Sequence, residues 1–243
     1  MSLERTRQDW TVLGKQDPLW AVLVKPESRH EAWDPEEFLA TGRAEIDQLL
    51  ERLEAEGLAP RGRDHALDFG SGAGRLTQAL VPHFAHVVGV DASEPMIERA
   101  RQLDPQGRCE FVLNQAEDLA RFPDASVDLV YSALVLQHIP PPHNKRYLAE
   151  LVRLVRPGGV VAVQVASQPD LSWRGLLTRV LPQPAMRALQ QHVLRYPAPM
   201  EMHALSAADV AEAAARHGGT VRASWPEEMF GGHWRYTRYI IGR

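Results

Sequence analysis

The run ALDFGSGAGR, at positions 66–75, combines residue types that suit a ligand site. Glycines allow positive φ and close backbone approach, and a following helix N-terminus offers free N–H groups. Nicotinamide and flavin sites use G-x-G-x-x-G, but here the third glycine comes one residue early and Arg75 takes its place. Asp68, two residues before the first glycine, repels a pyrophosphate and attracts a cation. The spacing therefore predicts a cationic ligand. The three glycines are Gly70, Gly72 and Gly74.

A second carboxylate lies where a nucleoside would need it. Asp91, in VVGVDAS, follows the glycines by about 20 residues, the distance at which a carboxylate accepts hydrogen bonds from both ribose hydroxyls. Its alternative role is a helix cap with Ser93, and the two roles are compatible. S-adenosylmethionine joins an adenosine to a cationic ammonium and sulfonium and carries no phosphate, so it suits both carboxylates.

The elements that must position these carboxylates are predicted to form an α/β sheet. Short apolar runs, several of them apolar on both faces as in buried parallel strands, alternate with helical patterns. Such alternation implies right-handed crossovers, with the ligand beyond the carboxyl ends of the strands. Strands are predicted at about 66–69, 87–91, 109–113, 127–133 and 160–166, and helices at about 75–84, 94–103 and 144–155.

The segment before the sheet is predicted to be helical. From Asp34 to Glu56 apolar residues recur at helical spacing, with Asp34 as the cap and Pro35 in the first turn. Residues 1–60 are therefore expected to form an N-terminal helical cap on a core at 61–243, within one structural domain.

Residues 168–205 interrupt the alternation of strand and helix after the fifth strand. They contain Pro169, Pro182, Pro184, Pro197 and Pro199, which favours an insertion rather than a linker. We expect this insertion to act as a lid over the site; an extra helical layer or a dimer interface is the alternative. A helix opened by Ser206 and Asp209, and a last strand in GGHWRYTRYIIG, follow it.

Composition argues against several classes of function. The chain has 243 residues, a formal net charge of −4 and one cysteine. The charges form no basic stripe, so no nucleic-acid partner is expected. That cysteine, Cys109, is predicted to be a buried apolar residue of the third strand; with no second cysteine and no paired histidine spacing, no metal is expected. The absence of a signal-like start and of a spanning apolar run favours a cytoplasmic protein with no membrane partner.

Four segments, in order over about 66–166, resemble the motifs of class I S-adenosylmethionine-dependent methyltransferases. They are the glycine loop, VVGVDAS, NQAEDLARFPDASVDLVYSALVLQHI and LVRPGGVVAVQV. EEFLATGRAEI and SALVLQHI are also similar to the type 11 and type 12 branch, which acts on small molecules. The resemblance implies a Rossmann-like, doubly wound, mainly parallel seven-stranded sheet, with S-adenosylmethionine as cofactor.

The resemblance also assigns site residues. Gln115, Ala116 and Glu117 would flank the adenine, and Ala133 the methionyl part. Two alternatives stay open: Met96 packs on the adenine or into the core, and Gln115 and Glu117 are ligands or solvated loop residues. The complete set predicted to bind the cofactor is Asp68, Gly70, Ser71, Gly72, Asp91, Ala92, Met96, Gln115, Ala116, Glu117 and Ala133.

Methyl transfer from a sulfonium is an in-line displacement that depends mainly on alignment. A hydroxyl or amine acceptor also needs a base, and His138 is the first candidate because LQHI follows the fourth strand. A histidine at a helix end without chemistry is the alternative. Arg43 either reaches the cofactor carboxylate or forms a surface ion pair. Weaker base candidates are Tyr131, His143, His203 and His233.

Three functions compete. Methyl transfer to an O or N atom of a small-molecule acceptor is favoured by aromatic residues in the flanking segments, which can wall a pocket. Methyl transfer to RNA, DNA or protein is disfavoured, because YSALVLQHI replaces the NPPY-like turn of amino-methylating nucleic-acid enzymes. The third is a non-catalytic protein that binds S-adenosylmethionine. A homodimer is compatible with each.

Overall fold

The computed structural model describes residues 2–24, 28–30, 32–227 and 234–243, and at 173, 174 and 179 its description covers the backbone. The strands are β1 (His65–Phe69), β2 (His86–Asp91), β3 (Glu110–Leu113), β4 (Val127–Ser132), β5 (Val155–Pro169), β6 (Thr220–Glu227) and β7 (Trp234–Gly242). The α-helices are α1 (Leu3–Gln16), α2 (Pro18–Val22), α3 (Pro35–Ala55), α4 (Arg75–Leu80), α5 (Glu94–Leu103), α6 (His143–Leu154), α7 (Trp173–Val180), α8 (Gln183–Ala188) and α9 (Ala207–Ala215).

The strands form one seven-stranded sheet in the order β3-β2-β1-β4-β5-β7-β6. Neighbouring strands from β3 to β5 are parallel, whereas β7 is antiparallel to both β5 and β6. This confirms the predicted doubly wound, mainly parallel α/β sheet. The strand order reverses between β1 and β4, and in open α/β sheets such a reversal leaves a crevice at the carboxyl ends of the strands.

The core lies on both faces of the sheet, as the apolar runs predict. Helices α6 and α9 cover one face, where Leu148, Val152 and Val210 are fully buried. Helices α3 and α4 cover the other face, where Ile46 and Leu80 are fully buried. Because the strands are sandwiched, their side chains are apolar on both faces.

Helix caps follow the sequence signals closely. The Asp34 carboxylate accepts from the Glu37 N–H, and Pro35 occupies the first turn of α3. Ser206 and Asp209 form a reciprocal capping box at the start of α9. Both predicted starts are therefore confirmed.

Several boundaries differ from the prediction. β5 runs from Val155 to Pro169, so it takes in the first two residues of the insertion at 168–205. α4 ends at Leu80, four residues before its predicted end. β6 was not assigned from sequence, because as an edge strand it buries only Trp225 among its eight side chains and contains Pro226. Of the predicted last strand, residues 231–233 lie outside the described residues, and the rest is β7.

Cys109 lies immediately before β3 rather than within it and is only half-buried. Its N–H donates to the Asp104 carboxylate at 2.8 Å. Burial, with the negative charge of Asp104, raises the pKa of the Cys109 thiol to about 12. The thiol is therefore protonated at neutral pH, which makes it a poor nucleophile.

Among the described helices, none combines the length and the apolar character that crossing a membrane requires.

Helix α3 touches α4 through a glycine. A Cβ placed on Gly42 would lie 2.3 Å from the Arg75 carbonyl oxygen, closer than real Cβ atoms approach backbone. The contact brings the Glu45 carboxylate to 2.8 Å from the Arg75 guanidinium. Gly42 therefore sets the distance between α3 and the helix that follows the glycine loop.

We expect Gly42→Ala to lower the free energy of unfolding by about 1–2 kcal/mol. Overpacking against backbone costs about 1–3 kcal/mol, and the better helix propensity of alanine returns up to about 1 kcal/mol. Urea denaturation at neutral pH measures the change. Ala44→Leu, on the exposed face of the same helix, is the control and should stay within about 0.5 kcal/mol of the parent. Equal stability of Gly42→Ala and the parent would contradict the tight contact.

Candidate active site

The glycine loop connects β1 to α4 in left-handed backbone conformations. Gly70 and Gly72 have φ values of 79° and 51°. The N–H groups of Gly70 and Ser71 donate to the Val90 carbonyl at 2.7 and 3.0 Å, which ties the loop to β2. A side chain at Gly70 would collide with Val135, since its Cβ would lie 2.2 Å from a Val135 methyl carbon. The positive φ of Gly70 and its close approach to Val135 both require glycine directly after β1.

Asp68 is fully buried at the end of β1. Its Oδ2 accepts from the Thr77 hydroxyl at 2.6 Å, while Oδ1 is buried without a hydrogen-bond partner among the described residues. Burial raises the pKa of Asp68 to about 7, against the opposing effects of Thr77 and Arg75. An unpartnered buried carboxylate oxygen is costly, and a cationic or N–H group of a ligand would satisfy it.

Asp91 connects the loop to α5. Its Oδ2 accepts from the Gly72 N–H and its Oδ1 from the Ser93 N–H, both at 2.8 Å. Burial raises the pKa of Asp91, and the backbone hydrogen bonds from Ser93, Gly72 and Ala92 oppose that effect. The capping interaction with Ser93 is thus present. Because each carboxylate oxygen can accept more than one hydrogen bond, these contacts leave acceptor capacity for ribose hydroxyls.

The other residues in the predicted cofactor set lie at the same edge of the sheet. Gln115, Ala116 and Glu117 follow β3 in an exposed loop, and Ala133 follows β4 and is buried. Ala92 is half-buried directly after β2. The parallel strands therefore gather the glycine loop, Asp91 and the 115–117 loop, as the sequence predicts, around one crevice.

Met96 is buried, and its neighbours come from the N-terminal helices. It shares an apolar cluster with Leu13, Trp20 and Ala73. A Cβ on Gly14 of α1 would lie 3.1 Å from the Met96 side chain, so α1 rests directly on it. In this structure Met96 packs into the core formed with α1 and α2.

Helices α1 and α2 cover the crevice, although neither was assigned from the sequence. The Ser93 hydroxyl donates to the Trp10 carbonyl at 3.2 Å, and Arg7 donates to the Ala116 carbonyl at 3.2 Å. Val22 lies over the loop, 2.7 Å from where a Cβ on Gly72 would be. The only sequence signal for α1 is the spacing of its apolar residues, which its many charged residues obscure.

The second half of the insertion packs on this cover. Tyr196 meets Trp20 edge-on with 5.1 Å between ring centroids, and Arg29 stacks on both rings. The His203 N–H donates to the Gln137 carbonyl at 2.6 Å. Arg187 bridges Asp9 of α1 at 3.1 Å and, by a shorter contact, Glu201. The side chain of Trp173 lies outside what the structure describes.

His138 ends a short 3₁₀ helix after β4 (Leu136–His138). Its Nδ1 lies 2.7 Å from the Glu201 carbonyl, and its ring meets Trp10 at 5.1 Å between centroids. A carbonyl accepts only, so Nδ1 carries the proton and Nε2 keeps its lone pair. Burial lowers the pKa of His138 to about 4. The imidazole is therefore neutral at physiological pH and keeps a free lone pair on Nε2, but a pKa this low makes it a weak base.

The weaker candidates fare differently. The Tyr131 hydroxyl donates to Glu45 and accepts from Arg238 at 2.5 Å. Burial and the negative charge of Glu45 raise the pKa of Tyr131 well above its ordinary value, which disfavours a role as base. Arg43 forms an exposed ion pair with Glu36 at 2.5 Å. His143 faces Glu117 at 3.9 Å, and burial lowers the pKa of His203. His233 lies outside the described residues.

A polar network that sequence reasoning missed lies beside the crevice. Arg238 is paired with Glu227 at 2.5 Å and with Glu45 at 3.3 Å, and Glu45 also pairs with Arg75. Burial raises the pKa of Glu45, but the two arginines more than offset it and leave the pKa below its ordinary value. The network borders a cavity of about 270 Å³. Its walls are formed by Leu23, Glu45, Arg75, Leu134, Gln164, Glu227 and Arg238.

Comparison with known proteins agrees with this geometry. Residues 67–163 match the model of the family described as "Methyltransferase domain". Trans-aconitate 2-methyltransferase of Azoarcus sp. is 38% identical over 144 residues, 57% of this chain and 52% of that protein. Ubiquinone biosynthesis O-methyltransferase of Coxiella burnetii is 35% identical over 101 residues, 39% of this chain and 40% of that protein. The matches thus span about half or less of these relatives.

The fold is shared with solved methyltransferases. Magnesium protoporphyrin IX methyltransferase from Synechocystis, with bound SAH, superposes with a TM-score of 0.60 at 17% identity, over 92% of this chain and 99% of that chain. Residues 67–163 thus match the methyltransferase domain in sequence, and the sheet has the fold of solved S-adenosylmethionine-dependent methyltransferases. The cofactor that this match indicates is S-adenosylmethionine.

The crevice fits that cofactor. Asp68 offers a buried oxygen that has no hydrogen-bond partner in the part of the chain that the structure describes, and Asp91 lies at the end of β2. Neither carboxylate suits a pyrophosphate, because each repels a phosphate when it is ionised. The described residues include no group of three or more His, Cys, Asp or Glu side chains able to hold a metal ion.

Asp68 should make the stability of the cofactor-free protein depend on pH. With its pKa raised from 3.8 to about 7, the folded state holds a proton that the unfolded chain releases, so the free energy of unfolding falls as pH rises through this range. We expect Asp68→Asn to raise the free energy of unfolding at pH 8 by about 1–4 kcal/mol relative to the parent, as measured by urea denaturation. This difference should disappear near pH 4.

The control is Asp128→Asn. Asp128 is equally buried but pairs with Arg156 at 3.3 Å and accepts from the Asp64 and His65 N–H groups. Its loss should destabilise the protein at pH 8. If both variants were destabilised alike at pH 8, the ionised Asp68 carboxylate would stabilise the fold. The prediction that its burial costs stability would then be wrong.

Proposed function

We propose that this protein transfers the methyl group of S-adenosylmethionine to an O or N atom of a small-molecule acceptor. The observation that carries the proposal is the order Asp68, glycine loop, Asp91 at adjacent strand ends, within a domain that matches the methyltransferase family. The names of two relatives, trans-aconitate 2-methyltransferase and ubiquinone biosynthesis O-methyltransferase, support a small acceptor.

The cofactor would be held by the predicted set of residues. When bound, S-adenosylmethionine supplies a methyl group on a positively charged sulfur. Asp68 would neutralise the cationic methionyl end, and Asp91 would accept from the ribose hydroxyls. Gly70, Ser71, Gly72 and Ala133 would line the methionyl part, and Ala92, Gln115, Ala116 and Glu117 the adenosine. Met96, the remaining member of the predicted set, packs into the core under α1.

The flanking segments would enclose the acceptor. In this proposal residues 1–60 form the cap and 168–205 the lid of a core at 61–243. Val22 over Gly72 and Tyr196 against Trp20 support it, because they close the crevice from two sides. Enclosure excludes water, which would otherwise compete with the acceptor, and holds the acceptor in line for displacement. A closed crevice of this kind favours a small molecule over a polymer.

His138 would remove the acceptor proton. The Glu201 carbonyl fixes the ring and leaves Nε2 as the basic nitrogen. Because burial lowers the pKa of His138 to about 4, the imidazole stays in its basic form across the physiological range. A proton taken at Nε2 would then leave to solvent once the lid opens.

Asp91→Asn should weaken binding of S-adenosylhomocysteine, the demethylated product, by about 10-fold to 100-fold. A hydrogen bond to a charged group contributes about 1.5–3 kcal/mol, and the amide retains one oxygen for the backbone contacts. Isothermal titration calorimetry measures the affinity. Glu94→Gln, at the exposed start of α5, is the control and should bind like the parent. An Asp91→Asn variant with undiminished affinity would leave Asp91 only its capping role.

His138→Asn should lower kcat by about 100-fold or more while leaving product affinity unchanged, because a positioned base contributes about that factor and asparagine can still donate to Glu201. A tritiated-methyl transfer assay over a panel of small hydroxy, carboxy and amino compounds supplies the acceptor. His83→Asn, at a surface ion pair with Asp47, is the control. Unchanged turnover would reject His138 as the base, and transfer to RNA or protein but to no small molecule would reject the acceptor class.

A further inference from the structure

Thirty residues within the lid, from Leu171 to Met200, form a basic segment in an acidic protein. The whole chain has 27 basic and 31 acidic residues, but this stretch has no aspartate or glutamate. We call it the basic lid segment. Its arginines are Arg174, Arg179, Arg187 and Arg195.

The same segment exposes large apolar side chains. Among the described residues seven large hydrophobic side chains are exposed, and five of them lie here. They form two groups along the chain, one on and before α7 and one at the turn of π-helix that ends at Val193. Leu176 and Val180 are one helical turn apart on α7 and so share a face. The five are Leu171, Leu176, Val180, Val193 and Leu194, with exposed fractions of 68%, 48%, 80%, 67% and 45%.

The segment is nevertheless anchored to the body of the protein. Arg187 is bound to Asp9 and Glu201, and Tyr196 packs on Trp20. These contacts fix the second half of the segment to α1 and α2. Arg187 is engaged in these ion pairs, whereas Arg195 is exposed.

Charge decides which partner fits these residues. A two-fold dimer through this segment would bring its arginines against the same arginines of the second copy, and residues 171–200 contain no acidic residue to pair them. A folded protein partner would need complementary shape, whereas the exposed residues are distributed in two groups. A bilayer surface needs no such shape: it takes separate apolar side chains into the headgroup boundary and attracts arginines with anionic lipid.

We propose that the basic lid segment binds the surface of an anionic lipid bilayer. Leu176 and Val180, with Leu171, Val193 and Leu194, would enter the boundary between headgroups and acyl chains, and the arginines would lie among lipid phosphates. The sequence expectation of no membrane partner considered only spanning segments and is replaced by this proposal. The inference is independent of methyl transfer; it places the lid side of the protein at the lipid–water boundary.

The test is flotation of the full chain with vesicles. Phosphatidylcholine vesicles containing about one third phosphatidylglycerol are compared with pure phosphatidylcholine, at low salt and at about 1 M salt. The protein should float with anionic vesicles at low salt, and both removal of the anionic lipid and high salt should reduce binding at least fivefold. No binding to anionic vesicles, or equal binding to both kinds, would overturn the proposal.

Variants locate the interaction. Leu176→Ser with Val180→Ser should lower vesicle affinity at least tenfold, whereas Val12→Ser, on the exposed face of α1, should not change it. Arg195→Gln should lower affinity about fivefold, and Arg5→Gln, an exposed arginine of α1, by less than twofold. Circular dichroism melting verifies that each variant folds.

Self-association is measured by sedimentation velocity without lipid. A dimer abolished by the Leu176→Ser, Val180→Ser pair, together with absent vesicle binding, would assign this surface to a second copy and overturn the proposal. A monomer that floats with anionic vesicles supports it. Neither readout uses methyl transfer, so failure here and failure of the proposed function are distinguishable.

Discussion

A carboxylate held away from water at the end of β1 constrains much of the surrounding structure. Asp68 keeps one oxygen for Thr77 and leaves the other unsatisfied, an arrangement that costs stability unless nearby positive charge offsets it. The first residue of α4, Arg75, is buried and supplies part of that charge. Burying a guanidinium in turn requires Glu45, and Glu45 can reach it only because α3 approaches α4 at Gly42.

The same logic extends across the sheet. Glu45 is shared between Arg75 and Arg238, and Arg238 draws in Glu227 from the edge strand β6. Two arginines and two glutamates leave the cavity beside the crevice without net charge. A ligand in this cavity would therefore be recognised through hydrogen-bond geometry rather than through overall charge. Because breaking one member leaves a buried charge unpaired, the network also fixes the relative positions of α3 and the sheet.

Local sequence signals predicted the sheet and the crevice, because each signal lies within a short stretch of the chain. The glycine spacing, the Asp34 and Ser206 caps and the apolar runs of β1 to β4 each depend on neighbours in the chain. The sequence does not predict the polar network, because Glu45, Tyr131 and Arg238 are far apart in the chain and come together only in the fold. Taken singly, each has the sequence context of an ordinary surface or strand residue. β6 was missed because an edge strand carries little apolar periodicity.

The sequence predicts a helical cap over residues 1–60 but not α1 and α2 as separate helices, because their charged residues hide the apolar positions that bury Met96 and cover Gly72. Their docking has a kinetic consequence. Trp10, Arg7 and Val22 each touch a different one of the loops that surround the crevice. Whatever enters or leaves must first detach several separated contacts made by one short stretch of chain. We therefore expect exchange at this crevice to require the undocking of about twenty residues rather than diffusion to an open groove alone.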